Sequence, residues 1–182
     1  VYVIADKGIV KTVGGGKING NLNIKSDDSV ALNYVANGKA LHVTGDVDVD
    51  GNGVMMYARN TKVDGNLNMT NGGGFLEVGN VQVGKDMNIK TVAKSENPQG
   101  YKHFVHVIGK NKVGGNLTIN SENNIHIGNY NYEEGVLLDG NLEVGGDLTA
   151  HAKNGHVMTT IDTKAGGKIS LKSDNLNVLT DG

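Results

Sequence analysis

Cysteine and tryptophan are absent from this chain of 182 residues, and proline occurs once. The lack of thiols excludes disulfide staples, thiolate metal sites and thiol nucleophiles. It also suits a chain that crosses membranes unfolded, although it does not fix a compartment. Aromatic residues make up 4% of the chain, so no ring-rich core is available. Lys and Arg number 17 against 19 Asp and Glu, a net charge of -2. No basic excess exists to neutralise a phosphate backbone, which speaks against nucleic acid as a partner. No apolar run approaches the roughly 18 residues that a membrane-spanning helix requires, so no membrane insertion is expected. The chain opens without Met or a signal peptide, on Val1-Tyr2-Val3-Ile4-Ala5, which reads as a strand. Residues 1–182 are therefore expected to form a single segment from the interior of a much longer chain.

Glycine is plentiful, at 28 residues, and so is asparagine, while hydrophobic residues make up 37%. The apolar residues are patterned, which argues against disorder. The pattern is a repeat, apolar-x-Gly-(Asn/Asp)-apolar-x-apolar. It appears as Ile18-Asn19-Gly20-Asn21-Leu22-Asn23-Ile24 and recurs in units beginning at Val43, Val63, Val83, Val113, Leu138 and Ala165. The intervals are 25, 20, 20, 30, 25 and 27 residues. A further copy, Val144-Gly145-Gly146-Asp147-Leu148-Thr149-Ala150, overlaps the one from Leu138. The period of two, the β-branched residues and the internal Gly exclude helical repeats. Propeller blades need about twice the spacing, and leucine-rich repeats need a different consensus. The spacing predicts an all-β, right-handed parallel β-helix (a β-solenoid) of about 7–8 coils of 20–30 residues.

Strand alternation places Val63, Leu67 and Met69 inside and Asp64 and Asn68 outside, with Gly65 allowing a tight bend or close approach. The polar position reads Asn21, Asp46, Asn66, Asp86, Asn116, Asn141, then Asp147 and Lys168. Stacked in register, these amides predict a hydrogen-bonded ladder along the rod, a structural device rather than a chemical one. Alternation of Asn with Asp over the first four coils avoids neighbouring like charges.

Insertions in a solenoid commonly carry binding surfaces. Loops are expected near 94–103, around Pro98, and near 128–135. Tyr101 lies 18 residues after its unit start, and Tyr130 and Tyr132 lie 17 and 19 after theirs. Equal offsets predict one patch of Tyr101, Tyr130 and Tyr132 beside Lys102 and His103, suited to sugar stacking or a protein contact. The alternative is that these rings only cover a loop. No catalytic residue is assigned. Asp46 and Asp86, two coils apart, fall near the carboxylate spacing of inverting glycosidases, but they occupy the ladder position. The six histidines offer no chelating pattern, so neither a metal nor a cofactor is expected; His42 and His126 should face outward. Asn68-Met69-Thr70 and Asn116-Leu117-Thr118 match the glycosylation acceptor pattern.

Units such as Val63-Asp64-Gly65-Asn66-Leu67-Asn68-Met69 and Val113-Gly114-Gly115-Asn116-Leu117-Thr118-Ile119 resemble the degenerate repeats of filamentous-haemagglutinin-like exoproteins, and especially the high-molecular-weight adhesins of two-partner secretion. The resemblance covers about residues 10–180 and is one of repeat style. It implies a secreted rod on the bacterial surface, exported through an outer-membrane transporter and used to bind host cell-surface glycans or proteins. It further implies modification at Asn68 and Asn116. The Asn-Pro motifs of the family's secretion domain are missing, apart from Asn97-Pro98 in the loop. The resulting expectation is a non-catalytic adhesin segment that binds ligand or spaces a binding site. A polysaccharide-acting β-helix, such as a lyase, hydrolase or phage tailspike, stands as the alternative. A structural polymer like the bactofilins stands behind it.

Overall fold

A computed structural model describes residues 1–13, 15–33, 39–92, 104–128 and 140–180. Among these, every regular element is a β-strand, and all strand pairs are parallel. The strands form three sheets of eight, eight and seven, and each strand pairs with those one coil before and after it. That connectivity is a parallel β-helix. Each coil visits the first sheet (for example Leu67–Asn71), the second (Phe75–Gly79) and the third (Gln82–Val83) before rising to the next.

Alternation within each strand builds the core. In Leu67–Asn71, Leu67, Met69 and Asn71 are buried, while Asn68 and Thr70 point outward. Leu67 lies directly over Val47 and under Met87, and Met69 lies between Val49 and Ile89. The second sheet stacks Met56, Leu76, Val105 and Ile125, and the third stacks Val43, Val63, Val83, Val113 and Val144. A slip of one residue would turn an entire apolar row to solvent, so the packing fixes the register. The buried Asn33 and Asn111 are hydrogen-bonded: Asn33 donates to Asn60 O at 2.9 Å, and Asn111 accepts from Val81 N–H at 3.1 Å.

The repeat unit is the corner between third and first sheets. Here the ladder residue's Oδ1 accepts the backbone N–H of its counterpart one coil on: Asn21 from Asp46 at 3.0 Å, Asp46 from Asn66 at 2.7 Å, and Asn66 from Asp86 at 3.2 Å. Asp86 accepts from Asn116 at 2.7 Å, Asn116 from Asp147 at 2.8 Å, and Asp147 from Lys168 at 2.8 Å. The repeating bond is thus side chain to backbone rather than amide to amide. This explains why Asn and Asp interchange: either supplies the acceptor. Lys168, which has none, ends the row.

One residue of the expected ladder is misplaced. Asn141 opens a third-sheet strand, paired with Lys110 and Asp162, and Asp147 holds the corner instead. The true unit of that coil starts at Val144, not Leu138, and the intervals become 25, 20, 20, 30, 31 and 21 residues. With this correction the row alternates Asn and Asp through all six coils before Lys168, so no two carboxylates are neighbours.

The residue before the ladder position is Gly in all but one of these corners, for a steric reason. A Cβ on Gly65 would lie 2.3 Å from Asp46 Oδ1, and one on Gly146 would lie 2.3 Å from Asn116 Oδ1. Lys85 occupies this position in one coil, and the ladder bond there, 3.2 Å, is the longest of the row. The corner after the second sheet uses a different device: Asn33, Asn60 and Asn80 adopt φ of 52°, 44° and 54°, and Gly109 adopts 68°. Asparagine tolerates this left-handed region better than other residues with a Cβ.

Candidate functional site

Tyr101, Lys102, His103, Tyr130 and Tyr132 lie outside the described residues, as do the expected loops 94–103 and 128–135 except for Gly128. Within the described residues, two outward faces carry the chemistry.

The outer face of the first sheet is a polar trough. Outward positions of successive strands place Asn23, Asp48, Asn68, Asn88 and Thr118 in one row. Lys25, Asp50, Thr70, Lys90 and Asn120 form a second row beside it. Tyr2 closes one end, almost wholly exposed at 82%. Part of the trough, about 480 Å³, is bordered by Tyr2, Asn23, Lys25, Asp48, Asp50 and Asn68; a further 330 Å³ continues past Asn88 and Lys90. Three of these side chains hold one another in place: Asn68 Nδ2 donates to Asp48 Oδ1 at 2.7 Å, and Asn88 Nδ2 donates to Asn68 Oδ1 at 2.9 Å. This presents fixed donors and acceptors about 4.8 Å apart along the rod. Sequence alternation gave each residue's face, but their assembly into a trough needs the coil register.

The outer face of the second sheet is a row of rings. Tyr57, Phe75, Phe104, His126 and His156 follow one another with centroids 5.7, 4.8, 5.4 and 4.9 Å apart. His106 lies alongside, 5.8 Å from Phe104. Under the row Glu77 is only 5% exposed, and it pairs with Arg59 at 2.5 Å. Burial pushes the Glu77 carboxyl up, and Arg59 partly offsets this. Burial also lowers His106, and it takes His126 down to about 4, assisted by His156 and His106. The sequence reading of His126 as outward-facing holds in the structure, but Phe75, Phe104, Arg59 and Glu77 were not singled out. Their only signal was the concentration of both Phe and the sole Arg at outward positions.

Exposed ion pairs decorate the remaining surface. A hydrogen bond from His42 lowers Asp64, and one from Lys172 lowers Asp174, with His151 adding to it. Asp46 and Asp86, the carboxylates weighed for hydrolysis, both spend an oxygen on the corner row. Among the described residues no three His, Asp or Glu side chains converge on one metal position. The two acceptor asparagines differ: Asn68 uses both ends of its amide in outward hydrogen bonds, whereas Asn116 is exposed and commits its Oδ1 to the corner.

Fold and surface define a parallel β-solenoid with a preordered polar face. In comparison with known proteins, no family model, no curated protein and no solved structure matches the chain.

Proposed function

We propose that this chain is a non-catalytic rod segment of a secreted bacterial adhesin, exposed at the cell surface, that engages host glycans or surface proteins or spaces a site that does. The observation that carries the reading is the first-sheet trough. Asp48, Asn68 and Asn88 are fixed by hydrogen bonds between coils, amid hydroxyls and charges of both signs, with a tyrosine ring at one end. Such a surface recognises the hydroxyl-rich edge of a carbohydrate at a reduced ordering cost, since its central Asp48–Asn68–Asn88 run is already held. The regular corner favours a rod: six successive coils, from Asn21 to Asp147, each offer the next the same acceptor, so length is added without a new fold. Export through an outer-membrane two-partner transporter, and the resemblance to filamentous-haemagglutinin-like exoproteins, belong to this proposal.

One observation favours a second reading, a polysaccharide-acting β-helix. Asp48 and Asp50 both border the trough, two residues apart on one face of a strand. Strand rise separates them by about 6.6–6.8 Å, inside the range of inverting hydrolysis, roughly 6.5–9.5 Å. One experiment serves both. The purified chain is applied to glycan and matrix-protein arrays, alongside Asn88→Ala and Tyr101→Ala/Tyr130→Ala/Tyr132→Ala variants, and bound polysaccharides are assayed for new reducing ends. Saturable binding without cleavage supports the adhesin, and the variant that loses it places the contact. Cleavage abolished in Asp48→Asn overturns it in favour of the enzyme. A folded chain that binds nothing leaves the spacer role alone.

A further inference from the structure

His126 and His156 come from neighbouring coils, yet their rings meet nearly head-on, with centroids 4.9 Å apart, planes 23° apart and the two Nε2 atoms 2.7 Å apart. The strand register places Met158 opposite His126, so His156 reaches it along a diagonal. Both rings are held. The backbone N–H of His156 donates to Asn124 Oδ1 at 3.0 Å, and His126 packs against Phe104 at 5.4 Å. The third imidazole of the cluster, His106, is not free to join them: its Nε2 hydrogen-bonds Gly128 O at 2.8 Å. The nearby carboxylate, Glu77, is engaged by Arg59.

Two imidazole nitrogens at this separation cannot both present lone pairs, so one carries a proton that the other accepts. A divalent transition metal can take that proton's place. Two nitrogens on one tetrahedral ion, each bonded at about 2.0–2.1 Å, lie roughly 3.4 Å apart, so the pair needs to open by well under an ångström while each ring turns to aim its lone pair at the ion. We propose that His126 and His156 form a two-imidazole binding site for a borderline divalent transition metal, of the zinc, nickel or copper(II) class, with water completing the coordination. Imidazole pairs suit these ions, whereas calcium and magnesium prefer oxygen ligands. Metal uptake moves the donor ring's proton from Nε2 to its own Nδ1, so both imidazoles bind as neutral ligands and no proton is lost.

The test titrates the whole chain with zinc, nickel or copper(II) chloride, read by calorimetry and by the imidazole NMR resonances. His126→Gln, His156→Gln and His106→Gln run in parallel, each checked for folding by far-ultraviolet circular dichroism. The expected result is one equivalent bound with shifts confined to His126 and His156. Binding should be at least tenfold weaker in either of their variants and kept in His106→Gln. No binding by the folded parent chain, or binding unchanged in both His126→Gln and His156→Gln, overturns the site and leaves a shared proton only.

Discussion

At the scale of single residues, the corner between third and first sheets shows how two requirements fix two adjacent positions. The ladder residue must offer a side-chain acceptor to the next coil, and its predecessor must have no Cβ to collide with the acceptor of the coil before. Gly65→Ala would place a methyl 2.3 Å from Asp46 Oδ1. It should lower stability by about 1–3 kcal/mol in denaturant unfolding. Lys85→Ala, at the equivalent corner that already carries a Cβ, should stay within about 0.5 kcal/mol. Charge alternation gives a second prediction. Asn66→Asp sets three carboxylates in successive coils and removes the 3.1 Å bond from Asn66 Nδ2 to Asp46. It should cost roughly 1 kcal/mol at low salt, partly recovered as salt screens the row. Asp46→Asn keeps the acceptor and should be near neutral. An unfolding series at two salt concentrations distinguishes the cases; equal loss in both variants would refute the alternation argument.

At the scale of the element, the outer face of the second sheet is where burial and charge conflict. Arg59→Met would strand the Glu77 carboxylate beneath the rings, and the expected loss is about 2–4 kcal/mol at neutral pH. Glu77→Gln should cost less, since Arg59 is half-exposed and can turn to solvent. His126 predicts a pH dependence. Its folded value, about 4, lies below the unfolded value of 6.5, so protonation favours the unfolded chain. The stability present above pH 6.5 should therefore fall progressively as pH drops from 6.5 toward 4, by roughly 1–3 kcal/mol after solvent screening. His106, lowered for the same reason, acts in the same direction; it faces His126, Arg59 and Glu77, while His126 faces His106 and His156. Glu77, raised by burial, opposes them: it favours the folded state as it protonates. His126→Gln should flatten the decline in thermal midpoint between pH 6.5 and 4. An unchanged slope would remove His126 from the account.

At the scale of the whole molecule, stability is a sum over stacked coils, each covering its neighbour's apolar row. Leu117 is fully buried between Met87 and Leu148. Leu117→Ala should cost about 2–5 kcal/mol. Ile169, in the last first-sheet strand, is 47% exposed, and Ile169→Ala should cost much less. Equal losses, measured by thermal unfolding, would show that the coils do not share a graded core.

The repeat unit, its inward residues and the parallel solenoid were legible in the sequence because each depends on short-range alternation and on glycine at a fixed place. The copies at Leu138 and Val144 fit the pattern equally well, and only pairing with Val113 and Ala165 selects Val144. The ring row was not legible for a similar reason. Tyr57, Phe75, Phe104, His126 and His156 stand 18, 29, 22 and 30 residues apart, so no constant offset connects them. The sequence by itself determined which side of each strand faces the core, because a period of two is a local property. Which outward residues become neighbours was decided only by the tertiary structure, because coils of unequal length are aligned by hydrogen bonds between strands and not by distance along the chain.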